Sequence, residues 1–108
     1  MTRGDIVTVA APGDYGKPRS AVIIQDDIFK ALPSVTVLPL TSELRDAPII
    51  RITVEPRDSN GLRKPSQIMI DKTVTVPRSR LGEQIGRLDI NVMQSIDIAL
   101  ARFLRLQK

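Results

Sequence analysis

Apolar residues follow two rhythms along this chain. Through most of it they form short β-branched runs separated by turn residues. In the last segment they recur at spacings of three and four. Ile6 to Ala10 is the first run, and the stretch from Pro12 to Pro18, rich in Gly, Asp and Pro, is a loop by composition. Ser20 to Gln25 holds Ala-Val-Ile-Ile, the pattern of a buried strand. Asp26 to Leu32 fits one short helical turn capped by Asp26 or Asp27. Ser34 to Leu40 alternates Val35, Val37 and Pro39 against Thr36, Leu38 and Leu40, and Pro48 to Val54 is a further strand. Ser59-Asn60-Gly61 is a turn. Gln67 to Ile70 is extended, Lys72 to Val76 continues after a bend near Asp71, and Arg78 to Gly82 reads as one helical turn closed at Gly82. From the candidate N-cap Asp89 onward, Val92, Met93, Ile96, Ala99, Leu100, Phe103 and Leu104 line one face of a helix, and Arg102, Arg105 and Lys108 favour its C-terminus.

Short strands followed by one amphipathic helix predict a mainly β fold. The expected form is a small, strongly curved, SH3-like sheet or barrel with the C-terminal helix packed on it. The chain's 108 residues fit a single domain, 1–108, with no repeat or linker. With three aromatic residues (Tyr15, Phe29 and Phe103), the core must be aliphatic.

Composition narrows the chemistry. The sequence holds neither Cys nor His. That removes disulfides, thiolate metal sites, most zinc chemistry and the usual general base, and it suits a reducing cytoplasm. No metal and no cofactor is expected. No apolar run reaches the roughly 18–20 residues of a membrane span, and the opening Met1-Thr2-Arg3-Gly4-Asp5 runs straight into a strand without the pattern of a signal peptide. Neither a membrane partner nor export is expected. The net charge of +4 is concentrated between Arg57 and Arg87, where seven basic residues stand against three acidic ones. A localised positive field suits a polyanion such as nucleic acid, or an acidic protein tail; a merely solvated basic surface is the plainer alternative.

Several stretches, in order, resemble the MazF/PemK/Kid toxins of type II toxin–antitoxin systems. Arg3-Gly4-Asp5-Ile6-Val7 is similar to their R-G-[DE]-[IL]-[VW] opening, and Gly16 to Ile24 to their G-x-R-P segment. Val37-Leu38-Pro39-Leu40-Thr41-Ser42 is similar to their V-x-P-[LVC]-T-[ST] strand end. Lys64 to Asp71, Thr75-Val76, Arg80-Leu81 and Gly86-Arg87-Leu88 follow in register. The order Pro18-Arg19-Ser20 departs from the family's Arg-Pro, Asp71-Lys72 replaces Asp-Gln, and Met69 stands where some members carry Arg. Thr75 to Gln84 also resembles the gyrase poison CcdB, which shares the fold, although the C-terminus lacks that toxin's Trp.

The family resemblance implies a homodimeric, metal-independent endoribonuclease that cuts single-stranded mRNA. The 2′-hydroxyl attacks the adjacent phosphate, leaving a 2′,3′-cyclic phosphate and a 5′-hydroxyl. It also implies an antitoxin whose acidic, disordered segment folds across the basic groove. Two other readings stay open: a CcdB-like toxin acting on gyrase, and a MazF-like subunit that binds partners without cutting. Arg19 matches the family's catalytic arginine, and its guanidinium fork fits two phosphate oxygens. Thr41 matches a catalytic hydroxyl, with turn capping as its ordinary role. The base would be Asp14, in the first loop, or Asp71, each otherwise an ordinary loop or hydrogen-bonding carboxylate. Lys17, Ser42, Lys64, Ser66, Lys72, Arg78 and Arg80 are candidate RNA contacts, some of them positions for the antitoxin, and Tyr15 is a candidate stacking platform.

Overall fold

The computed structural model describes residues 1–10 and 17–106. Among these, seven strands form one antiparallel sheet: β1 Asp5–Val9, β2 Arg19–Ile23, β3 Ser34–Thr41, β4 Arg51–Val54, β5 Ser66–Met69, β6 Val74–Pro77 and β7 Leu81–Arg87. One helix, α1, Ile90–Phe103, closes the fold. The strand order is β4-β5-β3-β2-β1-β7, with β6 pairing β3 off that path. This is the curved β architecture with a terminal helix that the apolar pattern predicts.

The sheet bends around β3. Its first half pairs with β6 (Ser34↔Pro77 to Val37↔Val74), and its last residues pair with β5 (Leu40↔Ile68, Thr41↔Gln67). Period-two alternation then feeds two cores. Leu38 and Leu40 join Ile6, Val22, Val54, Ile68, Ile70, Leu88 and Ile96 beneath α1, while Val35 and Val37 join Val7, Val9, Ala21 and Ile23 on the opposite face. Core on both faces explains why both halves of the β3 alternation carry apolar residues, with Thr36 the polar exception at its β6-paired end.

Helix α1 starts as its sequence predicts: the Asp89 carboxylate accepts a 2.9 Å hydrogen bond from the Val92 amide. Ile96 is fully buried, and Val92, Met93, Ala99 and Leu100 pack against the first core. The apolar face outruns that core, for Phe103 and Leu104 remain exposed. Arg3 ties the helix to the sheet by pairing with Asp97 while donating to the Ile24 carbonyl.

Two elements differ from expectation. The Pro48 to Val54 run is extended only from Arg51; its first residues form a turn in which the Ile50 and Arg51 amides both donate to the Ala47 carbonyl. A helical turn is present at Arg78–Arg80, but it does not close at Gly82, where a strand is already running. That strand, β7, is bulged. Against Ile6, Val7 and Val9 of β1 stand Gly86, Gln84 and Leu81, so β7 carries an extra residue at each step. The bulges break the alternation: Leu81 packs against the second core, whereas Ile85, four positions on and on the same face in a regular strand, packs against the first.

Candidate active site

The groove begins where β2 and β3 end on the same side. Arg19 opens β2 and Thr41 closes β3, which is β2's neighbour through Ala21↔Pro39 and Val22↔Leu38. Between them and the loop joining β4 to β5 lies an open groove of about 720 Å³. Pro18, Arg19 and Ser20 line it from β2, Leu40, Thr41 and Ser42 from β3, Gly61 to Lys64 and Ser66 from the facing loop, and Glu83, Gln84 and Ile85 from β7. Its apolar base, made by Leu40, Leu62 and Ile85, belongs to the first core.

Local chemistry fixes the walls. The Thr41 hydroxyl oxygen accepts from the Glu43 amide at 3.1 Å, the turn-capping role open to it in sequence. A hydroxyl that accepts still has its own proton to donate, so this bond orients Thr41 without consuming its donor. The following loop is held by buried Gln67, whose side chain accepts from the Arg45 amide and donates to the Arg45 carbonyl, both at 3.0 Å.

The opposite wall hangs on Asn60, which is only 3% exposed. Its Oδ1 accepts from the Arg57 and Leu62 amides at 3.0 Å each, and its Nδ2 donates to the Glu55 carbonyl at 2.9 Å. The turn lies directly on β7, with the Arg87 amide donating to the Ser59 carbonyl at 2.9 Å. Gly61, at φ +70°, and Gly86 allow this approach: a Cβ on Gly61 would stand 1.8 Å from the Ile85 oxygen, and one on Gly86 2.1 Å from the Asn60 carbonyl. Arg63 and Lys64, both exposed, are thereby presented to the groove.

Of the residues singled out in sequence, the groove gathers Arg19, Thr41, Ser42, Lys64 and Ser66. Ser66 is buried, and its hydroxyl donates to the Lys64 carbonyl at 3.0 Å, so it shapes the wall. Lys17 is exposed just before the groove residue Pro18 and is not itself in the lining. Asp71, Lys72, Arg78 and Arg80 are not brought to this groove. Asp71 and Lys72 sit on the turn after β5 and face each other at 3.7 Å; one carboxylate oxygen of Asp71 is buried without a hydrogen-bond partner. Arg78 donates from Nε to the Leu32 carbonyl at 2.8 Å, an anchor between turns, and the Arg80 carbonyl accepts from the Ala10 amide. Asp14 and Tyr15 lie outside the described residues.

Sequence reasoning passed over Ser20, Arg63, Glu83 and Gln84 in this groove. Arg63 had a signal, being the neighbour of Lys64 in the basic stretch, whereas Glu83 and Gln84 stand in the stretch that resembles CcdB, which gives them no role in this groove. Among the described residues no group of three or more carboxylates is placed to hold a metal ion, and no helix is long and apolar enough to cross a membrane.

Known proteins resemble this chain in sequence and in fold. The family model of the PemK-like, MazF-like toxins of type II toxin–antitoxin systems matches residues 2–104. A protein of Mycolicibacterium smegmatis named probable endoribonuclease MazF is 53% identical over 105 residues, covering 96% of each chain. Among solved structures, the Mycobacterium tuberculosis toxin MazF-mt6 superposes with a TM-score of 0.81 at 28% identity, over 96% of this chain and 99% of its own. A mycobacterial endoribonuclease solved in complex with its cognate antitoxin shares the fold, with a TM-score of 0.83 at 20% identity over 100% of this chain and 98% of its own.

Proposed function

This chain belongs to the PemK-like, MazF-like toxin family of type II toxin–antitoxin systems, and from that membership and the groove we propose that it is a toxin that cuts single-stranded RNA without a metal ion. The observation that carries the reading is the convergence of Arg19 and Thr41, from the ends of neighbouring strands, on one groove walled by Arg63 and Lys64.

The chemistry needs little more than these groups. RNA carries its own nucleophile in the 2′-hydroxyl, so the protein's task is to hold the phosphate and stabilise charge as O2′ attacks phosphorus. The Arg19 fork donates to two non-bridging oxygens whose charge grows in the transition state. The Thr41 O–H adds a donor from the rigid end of β3. Arg63, Lys64 and, at the entrance, Lys17 hold flanking phosphates, giving salt-dependent affinity without reading bases. Ser42 lies beside Thr41 at the rim.

The partners follow the same logic. A homodimer would cover the apolar side chains exposed at the end of α1, namely Phe103, Leu104 and Leu106. An antitoxin with an acidic, disordered segment is the protein partner complementary to the groove, and a cytoplasmic location follows from an mRNA substrate. Endoribonuclease names among relatives spanning nearly the whole chain favour cleavage over gyrase poisoning and over an inactive subunit.

The test is incubation of purified protein with single-stranded RNA in excess EDTA. Wild type cuts, and Arg19→Ala cuts on the order of 10²-fold or more slowly. Intact RNA with inhibited gyrase supercoiling would select the CcdB-like reading instead.

A further inference from the structure

We propose that Glu83 is the general base of this groove, the carboxylate that takes the 2′-hydroxyl proton. The inference rests on the endoribonuclease reading and adds to it the group that sequence motifs assigned to Asp14 or Asp71. Glu83 is the one carboxylate in the groove lining among the described residues, where it faces the same space as Arg19 and Thr41. Asp71 is turned to Lys72 on the turn after β5 and is not in that lining.

The backbone is built to present Glu83. Between the pairs Val7↔Gln84 and Val9↔Leu81, β1 advances two residues while β7 advances three. Bulges of this kind bend a strand and re-aim a side chain that regular alternation would send to the other face. Glu83 stands within this bulge, between the paired residues Leu81 and Gln84, and lines the groove with Gln84. Thr8 fills the space: its hydroxyl oxygen accepts from the Glu83 amide at 2.9 Å and stands 2.3 Å from where a Cβ on Gly82 would be. A side chain at position 82 would displace the Thr8 hydroxyl from this hydrogen bond.

In the reaction, Glu83 accepts the proton as the O2′–P bond forms. The P–O5′ bond breaks with its electron pair going to O5′, which takes a proton from water, and Glu83 returns its proton to solvent. A carboxylate is the base available to a chain without His, and a positioned base contributes about 10²–10⁴-fold.

The test is single-turnover cleavage of an RNA with one cleavage site, in EDTA and across pH. Glu83 is exposed, so Glu83→Gln should keep the wild-type circular dichroism and thermal midpoint. Its cleavage rate should fall on the order of 10²-fold or more and lose the acidic limb of the wild-type pH profile, and Glu83→Asp should restore part of both. The loss should persist with a 5′-bridging sulfur substrate, whose leaving group needs no proton, whereas loss of a general acid would be rescued. Binding to the same RNA carrying a 2′-deoxy at the scissile position should be unchanged or tighter, since an anion has left the groove. Wild type that leaves RNA intact overturns the endoribonuclease reading and this assignment with it. Wild type that cuts, with Glu83→Gln within about threefold of it at every pH, overturns the assignment alone. So does a binding loss as large as the rate loss, which would make Glu83 a structural or binding group.

Discussion

Replacing Asn60 with Ala should damage both the stability of the fold and one wall of the groove. The side chain makes three hydrogen bonds, accepting from the Arg57 and Leu62 amides and donating to the Glu55 carbonyl. Alanine leaves two amides and one carbonyl without these partners, next to a buried site. At about 1 kcal/mol each, the loss is roughly 3 kcal/mol, a large share of the ~5–15 kcal/mol that holds a small domain folded. For a chain of this size that lowers the thermal midpoint by about 12 °C. Urea unfolding followed by far-ultraviolet circular dichroism measures it, at one fixed protein concentration because oligomer stability depends on concentration. RNA affinity should fall along with stability in Asn60→Ala, because Arg63 and Lys64 ride on this turn. A loss below about 0.5 kcal/mol for Asn60→Ala would refute the reasoning.

Three further outcomes follow. Arg63→Ala and Lys64→Ala should each weaken single-stranded RNA binding and reduce the slope of log K against log salt by about 0.7, the value for one phosphate contact, in a fluorescence-anisotropy titration. Asp71→Asn should leave the single-turnover cleavage rate within about threefold of wild type, since its carboxylate is not in the groove lining; a loss of about 10²-fold would return the base to Asp71. Gly86→Ala forces a Cβ to 2.1 Å from the Asn60 carbonyl, backbone against backbone, and should cost about 1–3 kcal/mol or more in the same urea experiment.

What the sequence made legible was periodicity and caps. The β3 alternation, the Asp89 cap and the α1 stripe through Val92, Met93, Ile96, Ala99 and Leu100 all stand in the structure where the residue pattern puts them. β7 was not legible, because two bulges break its period-two alternation, sending Leu81 to one core and Ile85 to the other, and its glycines lower strand propensity, while β1 pairs with it through backbone groups that sequence does not display. The site divides along the same line. Arg19, Thr41, Ser42 and Lys64 flank local motifs and were readable. Glu83 and Gln84 reach the groove only through the bulged register of β7, a long-range property. Basic character alone did not tell that Arg78, whose Nε donates to the Leu32 carbonyl, stands outside the groove lining.

The central claim is that the groove cuts RNA by using the RNA's own 2′-hydroxyl, with Arg19 stabilising the phosphate. The most direct measurement is the chemistry of the ends left on a single-site RNA incubated with wild-type protein in EDTA, beside the same RNA with a 2′-deoxy at the scissile nucleotide. The account predicts 2′,3′-cyclic phosphate and 5′-hydroxyl ends on the first and no cut in the second. Ends bearing 3′-hydroxyl and 5′-phosphate, or cleavage of the deoxy-substituted strand, would contradict it.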